Sequence, residues 1–94
     1  MKIRVEFLGL SRLVTGVRET SLDLEEGTTF GDIVSLLGTK YPELIGNVIQ
    51  PGGKMLQEPN IFNLNARQMI QAGHLDTGPR DGDRVILMSM SAGG

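Results

Sequence analysis

The sequence predicts an α+β domain in which one main helix packs across a mixed sheet of four or five strands. Segments with a period of two open and close the chain, one central stretch repeats its apolar residues at helical spacing, and Gly- and Pro-rich punctuation separates the rest. Ninety-four residues make one domain at most, with a single modest core. Two strands, a helix and then two or three more strands cannot all alternate as βαβα in that length, which favours segregated α+β layers. If the first strand lies beside the last, that pair is parallel and central, as the right-handed crossover rule allows.

Each element has its own signature. Lys2 to Phe7 alternates so that Ile3, Val5 and Phe7 share one face, with charges opposite. Gly9, Ser11 and Gly16 interrupt, and alternation returns from Glu19 to Leu24, which predicts a hairpin with a long connection. Thr29 followed by Asp32 forms a capping box, and Phe30, Ile33, Val34 and Leu37 make the apolar stripe of a helix. Gly38 is the expected helix stop. A second short helix is expected from Pro42 through Leu44, Ile45, Val48 and Ile49, ended by Pro51, Gly52 and Gly53. Asn60 to Asn65 reads as a strand that buries Ile61 and either Phe62 or Leu64, followed by a turn into a very short strand around Gln68 to Ile70. Ala72 to Asp83 is loop with one helical turn near Leu75, and Arg84 to Met90 is the last strand.

Composition excludes several function classes. Nine Lys and Arg against eleven Asp and Glu leave a net charge of -2, without bias toward nucleic acid or an anionic membrane. Zero cysteine removes disulfides, thiolate metal sites and thiol nucleophiles, and the single His74 cannot build a histidine metal cluster. No metal ligand set and no bound cofactor are expected. Gly52, Gly53 and Lys54 lack the spacing of a phosphate cradle and read as a turn. There is no signal-peptide pattern and no apolar run approaching the roughly 20 residues that span a bilayer, so a cytoplasmic location is expected.

The carboxyl end is the unusual feature. After a strong strand the sequence finishes Ser91, Ala92, Gly93, Gly94, which divides the chain into a domain of residues 1–90 and a flexible tail of 91–94. Two residues without Cβ atoms can thread a passage too narrow for others and carry a terminal carboxylate into a partner's active site. Beside the tail, if Val85 and Leu87 point to the core, then Ile86, Met88 and Met90 point outward as an apolar row, and methionine suits irregular partner surfaces.

The opening KIRVEFLG, the segment EEGTTFGDIVSLL, YPEL, NIFNLN and above all RDGDRVILMSMSAGG resemble the ubiquitin-like sulfur carriers of the MoaD/ThiS-like group. These include the small subunit of molybdopterin synthase and its thiamine- and cysteine-pathway relatives. The resemblance covers nearly the whole chain and implies the β-grasp fold. It also implies a non-catalytic carrier: an E1-like adenylating enzyme uses ATP to activate the carboxylate of Gly94, sulfur converts it to a thiocarboxylate, and a sulfur-accepting enzyme such as a molybdopterin synthase large subunit receives it. Ala92, Gly93, Ile86, Met88 and Met90 would then be the partner-binding residues. Ser89, Met90 and Ser91 stand where many members have a proline, and the stretch from Asn47 to Glu58 is longer than in the shortest members. A protein modifier joined to lysines through Gly94, or a binding module that uses only its sheet face, are the competing readings.

Overall fold

The computed structural model describes residues 1–90; residues 91–94, including the expected flexible tail, lie outside the described residues. The elements are β1 (Lys2–Phe7), α1 (Leu10–Thr15), β2 (Glu19–Asp23), α2 (Phe30–Lys40), β3 (Asn60–Leu64), β4 (Gln68–Ile70) and β5 (Arg84–Ser89), with 3₁₀ turns at Pro42–Leu44 and Ala72–His74. One five-stranded sheet runs in the order β2-β1-β5-β3-β4. β1 pairs antiparallel with β2 and parallel with β5, so the first and last strands are central neighbours as the alternation predicts.

The core lies between the inner sheet face and α2. Ile3, Val5 and Phe7 of β1, Val85 and Leu87 of β5 and Phe62 of β3 meet Phe30, Ile33, Val34 and Leu37 of the helix, all essentially inaccessible to water. Each such side chain contributes on the order of 1.5–3 kcal/mol by leaving water. Phe30 and Phe62 approach to 6.0 Å between ring centroids, and Phe7 meets Tyr41 edge to face at 5.3 Å.

The start of α2 is fully claimed. Thr29 Oγ1 accepts from Asp32 N–H at 3.1 Å and Asp32 Oδ2 accepts from Thr29 N–H at 3.0 Å, which completes the capping box. The next donors go to the 72–79 loop: Phe30 N–H to the Thr77 carbonyl at 2.8 Å and Gly31 N–H to the Leu75 carbonyl at 2.9 Å. No orphan N–H group of this turn is left to hold an anion. Hydrogen bonding to the Thr29 backbone, and secondarily to its hydroxyl, holds the Asp32 carboxyl below the usual carboxylate value. Its stabilising contribution is therefore present above the ordinary aspartate range and is lost as pH falls through the lowered folded value. The loop packs this closely because Gly78 has no side chain: a Cβ there would run into the Thr28 carbonyl oxygen.

Four expectations need correction. Gly38 does not stop α2, which continues to Lys40. Gly38 sits on the buried face, where an added Cβ would lie 3.1 Å from Ile45 Cδ1, and the helix ends at Tyr41 because Pro42 follows. The segment after Pro42 is one 3₁₀ turn rather than a helix. Gly46 at φ +89 leaves helical space, Asn47 Nδ2 donates to the Glu43 carbonyl, and Leu44, Val48 and Ile49 are buried from an irregular path. On β3, Phe62 alone is fully buried, whereas Ile61 points to the outer face and is half-buried. The connection between the first two strands holds α1, whose apolar Leu10 and Leu13 are exposed while Ser11 and Val14 turn inward, so its apolar residues do not mark the buried side.

The β3–β4 hairpin turns through Asn65 (φ 55) and Ala66 (φ 61), the two positive values that primed turns require. Asn65 also fastens the hairpin to β5, donating to Asp83 Oδ1 at 3.0 Å and accepting from Arg84 N–H at 2.8 Å. Left-handed alanine is strained by about 1–2 kcal/mol, partly offset by glycine's greater freedom when unfolded. Ala66→Gly is expected to raise stability by roughly 0.5–1 kcal/mol in urea unfolding. Gly78→Ala is expected to lower it by about 1–3 kcal/mol in the same assay, since the strap must lift from Thr28.

Candidate functional site

The site is the rim of the sheet where β5 ends, together with the outer sheet face beside it. β5 is hydrogen-bonded on both sides, so its end is fixed in direction. From the α1 side, Leu8 N–H and the Ser11 hydroxyl both donate to the Leu87 carbonyl at 3.0 Å. From the β3 side, Met90 N–H donates to the Pro59 carbonyl at 2.9 Å. Ser11 is almost fully buried, which explains why a short helix with exposed leucines is held at all.

The outer face divides in two. Over β2 and β1, and reaching to the start of β5, charges alternate in ion pairs: Lys2 with Asp23 at 3.9 Å, Arg4 with Glu19 at 3.3 Å and Arg84 Nε with Glu6 Oε2 at 2.6 Å. The last is a close ion contact between partly buried side chains. The first two are exposed and each is worth well under about 1 kcal/mol. Over β5, β3 and β4 the face is apolar. Met88 opposes Ile61, and Asn63 stands between Ile86 on one side and Met69 on the other. Asn63 Oδ1 is enclosed there and has no donor among the described residues.

Of the row expected to face a partner, Met88 is half-buried on the outer face. Met90 follows the end of the strand rather than lying in it, and is 55% exposed. Ile86 must be corrected: it points outward, away from the core cluster, but is only 9% exposed. It lies on the central strand with Glu6 directly across on β1 and Asn63 on β3, so neighbours on both sides cover it. Ala92, Gly93 and Gly94 lie outside the described residues. Sequence reasoning missed Ile61 and Met69, because Ile61-Phe62 offers two adjacent apolar residues and alternation alone does not say which faces out. It missed Leu8, 50% exposed beside the end of β5, for the same reason, since Phe7-Leu8 continues an apolar run.

Among the described residues no group of three or more His, Cys, Asp or Glu is placed to hold a metal ion. No helix is long and apolar enough to cross a membrane.

This architecture, a mixed five-stranded sheet crossed by one main helix, is the ubiquitin-like β-grasp, as solved structures confirm. Residues 5–94 match the model of the ThiS family, and the chain belongs to that family of MoaD/ThiS-like sulfur carriers and modifiers. Its relatives are small carrier or modifier proteins rather than enzymes. The small archaeal modifier protein SAMP1 from Haloferax volcanii superposes with a TM-score of 0.81 at 21% identity, covering 100% of both chains. Urm1 from Trypanosoma brucei gives 0.70 at 25% identity, over 99% of this chain and 95% of that one. A complex of subunits 1 and 2 of the molybdopterin-converting factor from Helicobacter pylori contains a chain that matches with a TM-score of 0.64 at 18% identity, over 100% of each. No protein of curated function matches.

Side-chain direction on β5 makes a sharp contrast between adjacent residues. Leu87→Ala, in the core, is expected to cost about 2–5 kcal/mol, whereas Met88→Glu, on the outer face, is expected to change stability by no more than about 0.5 kcal/mol. Thermal unfolding followed by circular dichroism checks both; a large loss for Met88→Glu would show that the outer face is structurally required.

Proposed function

We propose that this protein is a sulfur carrier whose Gly94 carboxylate is activated by an E1-like adenylating enzyme and converted to a thiocarboxylate. The observation that carries the reading is the end of β5: a tethered strand beside an apolar face, continued in the sequence by Ser91, Ala92, Gly93 and Gly94. The family match extends through residue 94 and supports it. The acceptor is a molybdopterin synthase large subunit, a role supported by the partner subunit present in the Helicobacter pylori complex.

The chemistry needs no side chain of this protein. A carboxylate is a poor electrophile, so one of its oxygens attacks the α-phosphorus of ATP, forming an acyl-adenylate and releasing pyrophosphate. A sulfide or persulfide sulfur then attacks the acyl carbon and AMP leaves with the bonding electron pair; with sulfide the product is the thiocarboxylate directly, and with an enzyme persulfide the remaining S–S bond is cleaved by reduction with a thiol. The activating enzyme supplies the donors that stabilise the developing charge. The carrier supplies position: Leu87 and Met90 fix the root of the tail, and glycine lets the acyl carbon enter a narrow site. ATP is the partner's substrate, and the carrier itself holds no cofactor.

The resemblance to SAMP1 and Urm1 supports a second reading, in which the same activated Gly94 is joined to lysines of target proteins. Intact mass after incubation with ATP, a sulfide source and host lysate separates the two. Exchange of one oxygen for one sulfur at Gly94 is the expected result, and ladders of lysine-linked conjugates would favour the modifier. Deleting Gly94 is expected to abolish the shift. An unchanged mass in the presence of a demonstrably active activating enzyme would overturn both and leave a module that binds through its sheet face.

A further inference from the structure

Met90 does more than precede the tail, because it forms one wall of an open groove of about 280 Å³. Met55, Leu56, Pro59, Ile61 and Leu75 supply most of the remaining apolar lining, from the 50–59 loop, β3 and the segment after β4. Small-molecule sites run from about 300 to 1,000 Å³ and enclose most of their ligand. An open groove of this size instead fits one large side chain from another protein. Its flanking methionines are unusually open, Met55 at 42% and Met90 at 55%, where this residue type is ordinarily buried.

The reach of the tail says what covers it. Gly94 lies four residues beyond Met90 in the sequence, a span of at most about 14 Å. An enzyme that encloses the Gly94 carboxylate together with ATP must bring its own surface within that distance of Met90. The groove shares Met90 and Pro59 with the tether at the root of the tail, so it falls inside the contact zone. Charge narrows the partner further: Glu58 is the one charged residue among the described residues that line the groove.

We propose that this groove receives an apolar side chain of the activating enzyme, flanked there by a lysine or arginine that meets Glu58. The inference rests on the carrier reading above and adds to it the subsite that grips the tail at its root. An anchor of this kind, an apolar side chain in a pocket with a charged rim, concentrates binding energy at few residues. It acts on docking and leaves the chemical step alone.

The test uses the full chain and the activating enzyme of its host, followed by ATP–pyrophosphate exchange. Ala72 lines the groove, is exposed and opens a 3₁₀ turn, so Ala72→Trp fills the space without disturbing the core. It is expected to raise KM for the carrier by about tenfold or more with kcat nearly unchanged, as removal of uniform binding requires. Glu58→Lys is expected to raise KM severalfold, and Leu36→Ala, on the exposed face of α2 away from the groove, to leave it unchanged. Native circular dichroism of each variant accompanies the kinetics. A wild-type KM for either Ala72→Trp or Glu58→Lys, with the wild-type chain adenylated normally, overturns the groove proposal and leaves the carrier reading standing. If the wild-type chain is not adenylated by an enzyme shown to be active, the carrier reading falls and the groove proposal with it.

Discussion

The parallel pairing of β1 with β5 is the constraint on which the rest of the structure depends. Val5 lies opposite Val85 and Phe7 opposite Leu87, so the two ends of the sequence build one continuous inner wall for α2. Because the strands are parallel, β5 finishes at the same rim as β1, where α1 begins. Ser11 can then reach the Leu87 carbonyl, and the end of β5 is delivered to a fixed place on the surface. A slip of one residue in this register would exchange Val85 and Leu87 for Ile86 and Met88 across the sheet. The core and the docking face are thus set by a single register.

That register also explains the division of the outer face. On β1 and β2 the outward positions are Lys2, Arg4, Glu6, Glu19 and Asp23, which pair across or between strands and need no cover. Beyond Arg84, which pairs with Glu6 at the start of β5, the outward positions on β3, β4 and β5 are Ile61, Asn63, Met69, Ile86 and Met88, in which only an amide interrupts apolar surface. A sheet with one face on a helix ordinarily presents polar residues on the other. Half of this sheet obeys the rule. The half that does not adjoins β5 and the root of the tail, where the proposed chemistry needs a partner to settle.

The elements legible in the sequence were those whose signals are local. β1 and β5 alternate cleanly, and the capping box of α2 is written in Thr29 and Asp32. The order of strands and helix followed from these and from the short central elements, and the β-grasp itself from the family resemblance. What could not be read depends on contacts made across the fold. α1 exists because Ser11 finds Leu87, 76 positions away, and nothing within LSRLVT announces that. Gly38 looks like a stop until Ile45 is seen to need its space. Ile86 looks exposed until Glu6 and Asn63 are placed on either side of it. For the site, the row along β5 was visible from alternation, whereas the groove required three separate stretches of chain to converge: the irregular 50–59 loop running into β3, the end of β4 with the turn after it, and Met90.

A carrier that uses its own main chain as the reactive group faces a conflict between rigidity and access. Order must extend close enough to the reacting carbon to limit the entropy lost when the partner positions it. It must also stop early enough for that carbon to reach inside another protein. The hydrogen bonds on Leu87 and Met90 fix the backbone as far as residue 90, the bond to the Pro59 carbonyl holding it on the β3 side. Ser91, Ala92, Gly93 and Gly94 are all small, so none of them offers a bulky side chain for a partner to recognise beside the Gly94 carboxylate. Under the proposed carrier reading, recognition falls to surface that residues 1–90 already display. The apolar half of the sheet and the groove that shares Met90 lie beside the end of β5, so the proposal makes specificity a property of the tail's root and reactivity a property of its tip.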